Sequence, residues 1–206
     1  MINLTSRLAQ SRALRSGIRA NLGVEWHRQK GYPQDGADAR GNSAVVLLLG
    51  HAWQGRRFGD DVGIFFNKRS PEVRQPGDIC CPGGGMELGK DRRLARILQL
   101  PGLPFGTHRW AMANGGPADA RRVALILATA LREGWEEMRL NPLRFDFIGP
   151  LPAECLSLFQ RRIFPLVGWS RKQREFRPNW EVASVPFVPL RKLLNPRRYV
   201  CLQLTF

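Results

Sequence analysis

Two short apolar runs, 43–49 (Ser-Ala-Val-Val-Leu-Leu-Leu) and 62–67 (Val-Gly-Ile-Phe-Phe-Asn), flank a segment that contains Gly and Asp. That pattern predicts two paired, buried strands. Two further runs, 145–150 and 163–169, read as strands in the same way. Between the two pairs the period changes. Residues 120–131 are rich in Ala and Leu, hold no Gly or Pro, and follow Pro117 and Asp119, which open helices. Residues 91–100 also carry apolar residues at helical spacing, closed by Pro101-Gly102-Leu103-Pro104. At the N-terminus Leu4, Leu8, Leu14 and Ile18 lie among Arg7, Arg12, Arg15 and Arg19. We read this as a helix packing on the domain; an Arg-rich, acid-free start also resembles an organelle transit peptide. Residues 30–42, rich in Gly, Asp and Asn, read as a loop.

The long helix carries acids. In Arg132-Glu133-Gly134-Trp135-Glu136-Glu137-Met138-Arg139-Leu140, Glu136 falls about 60° to one side of Glu133 and Glu137 about 40° to the other. Three carboxylates on an arc of roughly 100° repel one another unless a cation sits among them, which points to a divalent-metal site with oxygen ligands. The other reading is a solvated acidic face. Upstream, Pro82-Gly83-Gly84-Gly85-Met86-Glu87 is a turn whose glycines let backbone approach a phosphate or a metal closely.

Loop and helix together resemble the Nudix box: a glycine, five residues, an acid, seven residues, Arg-Glu, an aliphatic, any residue, Glu-Glu, any residue, Gly and an aliphatic. Arg132, Glu133, Glu136, Glu137 and Leu140 match by position. Gly134 replaces an aliphatic, which predicts a small hole and about 1 kcal/mol of lost helix propensity. Arg139 replaces the helix-ending glycine, so the helix is expected to reach Asn141 before Pro142 stops it. Lys90 occupies the place of the upstream acid and Asp91 follows one later. Forty positions, 92–131, then separate Asp91 from Arg132 where the pattern has seven.

The segment from Asn67-Lys68-Arg69-Ser70 through Arg74 and Gly77 to Pro82-Gly83-Gly84 resembles the coenzyme A diphosphatase branch of that family, as does 176–196, with Glu181-Val182-Ala183 and Val188-Pro189-Leu190. That branch's loop His is absent, and Cys81 stands for its Phe. Guanidinium groups bind phosphate bidentately, so Arg69 and Arg74 are candidate substrate ligands; simple solvation of the loop is the other reading.

The resemblance implies an α/β fold, a Nudix-type α/β/α sandwich around a curved mixed sheet. It implies a metal-dependent diphosphatase using Mg²⁺ or Mn²⁺. The expected metal ligands are Glu133, Glu136 and Glu137, which with Arg132 form the catalytic set. Arg69, Arg74, Gly83 and Gly84 are expected to hold substrate. Arg132 is expected to orient the acids by ion pairing. Glu181 either reaches the metal or bonds structurally. The expected substrate is coenzyme A or an acyl derivative. A non-catalytic module binding nucleotide or RNA is the alternative, supported by the charge and by six tryptophans that can stack on bases.

Composition narrows the class without choosing a partner. The 206 residues fit one domain, with 1–41 as N-terminal helix and loop and 92–119 as an insertion, a lid beside the pocket or a packing decoration. Lys and Arg number 32 against 17 acids, a net +15 that favours polyanionic partners. Cys80, Cys81, Cys155 and Cys201 show no disulfide or metal spacing and read as reduced thiols. No apolar run approaches the roughly 20 residues that span a bilayer. The expected location is cytoplasmic, with an organelle matrix as the alternative. His108 reads as structural. The resembling family continues beyond the counterpart of Tyr199, so a chain ending at Phe206 is expected to be trimmed.

Overall fold

The computed structural model describes residues 4–28, 41–100, 110, 113, 114, 116–156 and 161–199. The loop expected over 30–42 is outside this set up to residue 40, as are 101–104, His108 and Cys201. The organising strand is β1 (Asn42–Trp53). Along one edge it pairs in parallel with β8 (Arg161–Ser170), Asn42 opposite Arg162 through Leu49 opposite Trp169. Its other edge is shared. Residues 43–45 pair with β5 (Gly83–Gly85), and residues 48–53 pair antiparallel with β2 (Phe58–Phe65). The sheet continues through β6 (Phe145–Pro150) and β7 (Glu154–Leu156) against β8, and through β10 (Phe187–Pro189) against β2. One parallel pairing among antiparallel ones makes the sheet mixed. All four strands expected from the apolar runs are present. A second, three-stranded sheet joins β3 (Asn67–Arg69), β4 (Ile79–Cys80) and β9 (Val182–Ser184).

Side-chain alternation along β1 builds the layers. Ala44, Val46 and Leu48 pack with Phe164, Leu166, Phe145 and Phe147 against α3 (Pro117–Met138), which is joined on that face by α2 (Leu88–Leu98). Leu49 points the other way, with Val167, Trp169 and Ile148, toward Leu22 of α1 (Leu4–Arg28) and Leu190 and Leu193 of α4 (Leu190–Leu193). This is the expected α/β/α sandwich. α1 is also tied by polar contacts. Arg15 pairs with Asp146 at 3.0 Å and Arg19 donates to the Phe147 carbonyl. The Asp61 carbonyl can only accept, so His51 Nδ1 donates to it at 3.1 Å, and in the neutral ring Nε2 then accepts from the Ser11 hydroxyl at 3.0 Å.

Two local expectations are corrected. The acid-bearing helix α3 ends at Met138, not Asn141: Arg139 itself adopts the left-handed conformation, φ 57° and ψ 41°, and its N–H caps the helix. A non-glycine residue thus takes up the geometry that glycine favours. Nor does Gly134 leave a hole. The side chain of Leu140 folds back to within 3.1 Å of where a Cβ at Gly134 would lie.

Candidate active site

The site is anchored by a buried ion pair. Asp91 on α2 is fully buried, yet each of its oxygens is satisfied. The Glu87 N–H and the Thr129 hydroxyl donate to Oδ2 at 2.7 and 2.8 Å, and Arg132 Nε donates to Oδ1 at 2.7 Å. The packing of α2 on α3 therefore closes in space the gap that the insertion opens in sequence. From this anchor the Arg132 guanidinium reaches the Gly85 carbonyl at 2.8 Å and the carboxylates of Glu133 at 3.1 Å and Glu136 at 3.4 Å. Burial works against its charge, but Asp91 and Glu133 outweigh burial and raise its pKa. Arg132 is thus a charged group held by Asp91 and ion-paired to Glu133 and Glu136.

The glycine turn forms the floor. Gly83 sits at φ 140°, and a Cβ there would lie 2.2 Å from the Ala44 carbonyl oxygen. With no side chain, its N–H comes within 3.0 Å of Glu137 Oε2. A Cβ on Gly84 would lie 2.6 Å from the carboxyl carbon of Glu133. The close approach that these glycines permit is to the two glutamates and to β1. Asn67, buried at the end of its apolar run, adds a second bond to Glu137 Oε2 from Nδ2 at 2.9 Å.

A cavity of about 210 Å³ is left between helix, floor and second sheet, lined by Glu133, Glu137, Glu181, Asn67, Arg69 and the three glycines among others. Burial, with the charges of Glu133 and Glu181, pushes the Glu137 carboxyl up to about 7 despite the Gly83 bond. Burial likewise raises Glu133, against the pull of Arg132. Asn67 Oδ1 is buried with no donor. Glu137 forms no ion pair among the described residues. A partly buried cluster of oxygen acceptors, Glu133, Glu137, Glu181 and Asn67 Oδ1, has the donor chemistry that a hard divalent cation requires. Burial and Glu137 raise the pKa of Cys80, also at the wall, which disfavours its thiolate.

The structure gathers only part of the expected set. Glu133, Glu137, Arg69, Gly83 and Gly84 line the cavity; Arg132 braces it from behind. Glu136 does not line it: its side chain is 46% exposed and turned to Arg132. Among the described residues no three acid, His or Cys side chains converge closely enough to hold a metal ion together. Arg74 is exposed outside the cavity, where its carbonyl accepts from Arg69 Nε at 2.7 Å. Asp91 and Asn67 were not expected in the site. Asp91 looked displaced by one position, and its importance is visible only in its burial. Asn67 carried a faint signal, a polar residue closing an apolar strand.

No protein-family model matches the sequence. The chain is 28% identical over 149 residues to the peroxisomal coenzyme A diphosphatase NUDT7 of Mus musculus, covering 71% of this chain and 49% of that protein. It is 38% identical over 87 residues to the uncharacterized Nudix hydrolase NudL of Pectobacterium atrosepticum, covering 41% of this chain and 44% of that protein. It spans about half the length of the curated relatives it matches. Among solved structures, the Nudix hydrolase RenU of M. smegmatis aligns with 76% of this chain and 78% of its own at 15% identity, with a TM-score of 0.48. In the Arg-Glu-x-x-Glu-Glu helix folded over its glycine turn, and in these sequence relatives, the chain is similar to the Nudix hydrolases.

Proposed function

We propose that this protein is a metal-dependent hydrolase that cleaves the diphosphate linkage of a nucleoside diphosphate derivative, coenzyme A or an acyl-coenzyme A first among them. The observation that carries this reading is the pair of partly buried glutamates, Glu133 and Glu137, facing one cavity over a glycine floor, with Glu137 in no ion pair among the described residues. Glu133 and Glu137, which line the cavity, are the residues that would hold Mg²⁺ or Mn²⁺; Glu136 would join them only by turning away from Arg132. When bound, such an ion neutralises diphosphate oxygens and acidifies water.

The chain's own groups divide the remaining work. Glu137, with a carboxyl near 7, takes the proton from the attacking water. Water adds to one phosphorus, the bridging P–O bond breaks, and two phosphate monoesters leave. Arg132 fixes Glu133, and Arg69 at the cavity wall pairs with a substrate phosphate. The name of the mouse relative supports coenzyme A as substrate, together with the Lys68-Arg69-Ser70 segment. The setting of this chemistry is the cytoplasm or an organelle matrix; among the described residues no helix is long and apolar enough to cross a membrane.

The test is product release from coenzyme A, acyl-coenzyme A, ADP-ribose, NADH and diadenosine compounds with Mn²⁺, comparing the protein with Glu137→Gln. Cleavage of the coenzyme A compounds that falls at least about 100-fold in the variant is expected. Cleavage of another panel member alone would retain the hydrolase and replace the substrate. No cleavage of any, with tight nucleotide binding in both forms, would make the protein a binding module.

A further inference from the structure

A second concave surface lies across α3 from the acids. Trp135 follows Glu133 by two residues and precedes Glu137 by two, so it points about 200° around the helix from either. Its indole is 45% exposed, with the Arg139 guanidinium 5.2 Å from the ring centroid. It opens a cavity of about 500 Å³ that includes Arg144 and Arg174 in its wall. The same two arginines line a neighbouring cavity of about 910 Å³, which runs to Phe58, His51 and Trp169. Shared walls make the two cavities one groove.

The groove is basic beyond its own neutralisation. Asp146 pairs with Arg15 at 3.0 Å and Arg171 at 3.1 Å, and Glu175 pairs with Arg177 at 3.5 Å. Arg139, Arg144, Lys172 and Arg174 have no carboxylate partner among the described residues. Two of these four are placed against indoles, Arg139 over Trp135 and Arg174 over Trp53 at 4.8 Å. Arg144 is held in place by its bond to the Lys172 carbonyl at 2.7 Å.

We propose that this groove binds single-stranded nucleic acid. Unpaired cations set along a channel neutralise successive phosphates, and ring faces beside them accept bases by stacking, a combination tolerant of sequence. Continuity across two cavities suits a polymer better than one nucleotide, and a concave surface between packed elements does not suit a flat bilayer. The site is separate from the catalytic cavity and does not depend on the hydrolase reading.

The test is fluorescence anisotropy with a labelled oligouridylate of about 12 nucleotides, a length matched to grooves of this kind. It compares the full chain with Arg144→Glu/Arg174→Glu, and with Arg92→Glu/Arg93→Glu, which reverses two exposed charges on α2. Binding that falls with salt at a log–log slope of about −3 is expected for four neutralised phosphates on a single strand. The groove pair should weaken binding at least about tenfold and the α2 pair less than about twofold, with cleavage of coenzyme A compounds unchanged by either. Trp135→Ala should weaken binding without changing the slope. Should the groove pair lower the melting temperature, Arg144→Gln/Arg174→Gln takes its place. Equal weakening by both pairs, no binding at low salt, or binding of phosphatidylserine vesicles in place of the oligonucleotide would each overturn the proposal. Loss of cleavage with binding retained bears on the hydrolase reading alone.

Discussion

Glu137 is held by two donors, the Gly83 N–H and Asn67 Nδ2, and is disfavoured as an anion by burial beside Glu133 and Glu181. The balance raises its pKa above that of an unfolded glutamate, from 4.5 to about 7. The folded state therefore holds the proton more tightly. The stabilisation is fully present below about pH 4.5 and is lost as pH rises toward 7. In metal-free protein, denaturant unfolding should show stability falling over that window by up to about 3 kcal/mol, and Glu137→Gln should flatten the fall. An unchanged profile in the variant would place the titration elsewhere. Asp91 poses the opposite problem. Asp91→Ala strands the Arg132 guanidinium in the interior and should cost about 3–5 kcal/mol in urea unfolding. A loss below about 1 kcal/mol would mean that Glu133 and the Gly85 carbonyl satisfy Arg132 unaided. The sequence marks Glu133 and Glu137 through their spacing, whereas the partner of Arg132 lies 41 residues away and is found only by folding.

At the scale of elements, the glycine turn separates a structural from a functional requirement. Gly83→Ala drives a Cβ into the backbone of β1 at a φ that L residues avoid, and should cost at least about 2 kcal/mol. Gly84→Ala meets only the movable end of Glu133, so stability should change by less than about 1 kcal/mol. Mn²⁺ binding by calorimetry should nevertheless weaken at least about tenfold, because that carboxylate is displaced. Retained affinity in Gly84→Ala would remove Glu133 from the ligand set. The helix and four strands of the main sheet, β1, β2, β6 and β8, were legible because period and length specify them, whereas β5, β7 and β10 were too short to show a pattern. The helix end was not legible: Arg139 pays the left-handed cost where Asn141 looked better suited, because Leu140 must fold back over Gly134 to seal the core.

At the scale of the whole molecule, α1 closes the face of the sheet away from the acids. Leu22 packs with Ile148, Val167 and Trp169, and Leu22→Ala should cost about 2–4 kcal/mol in thermal or denaturant unfolding while leaving Mn²⁺ binding unchanged. An effect on the metal site would show that the two faces are coupled through β1. Sequence alone determined the four strand runs, the acid-bearing helix and the likeness of the turn and helix to a Nudix box, since each is a local pattern of period, composition or spacing; the layers were only what that likeness implied. Tertiary structure alone decided that Asp91 grips Arg132, that Glu133 and Glu137 face the cavity while Glu136 turns outward, and that Arg69 reaches it while Arg74 does not. Each of these depends on which side chain loses water and what lies opposite it, and a linear chain does not carry that information until α2, α3 and the two sheets have packed.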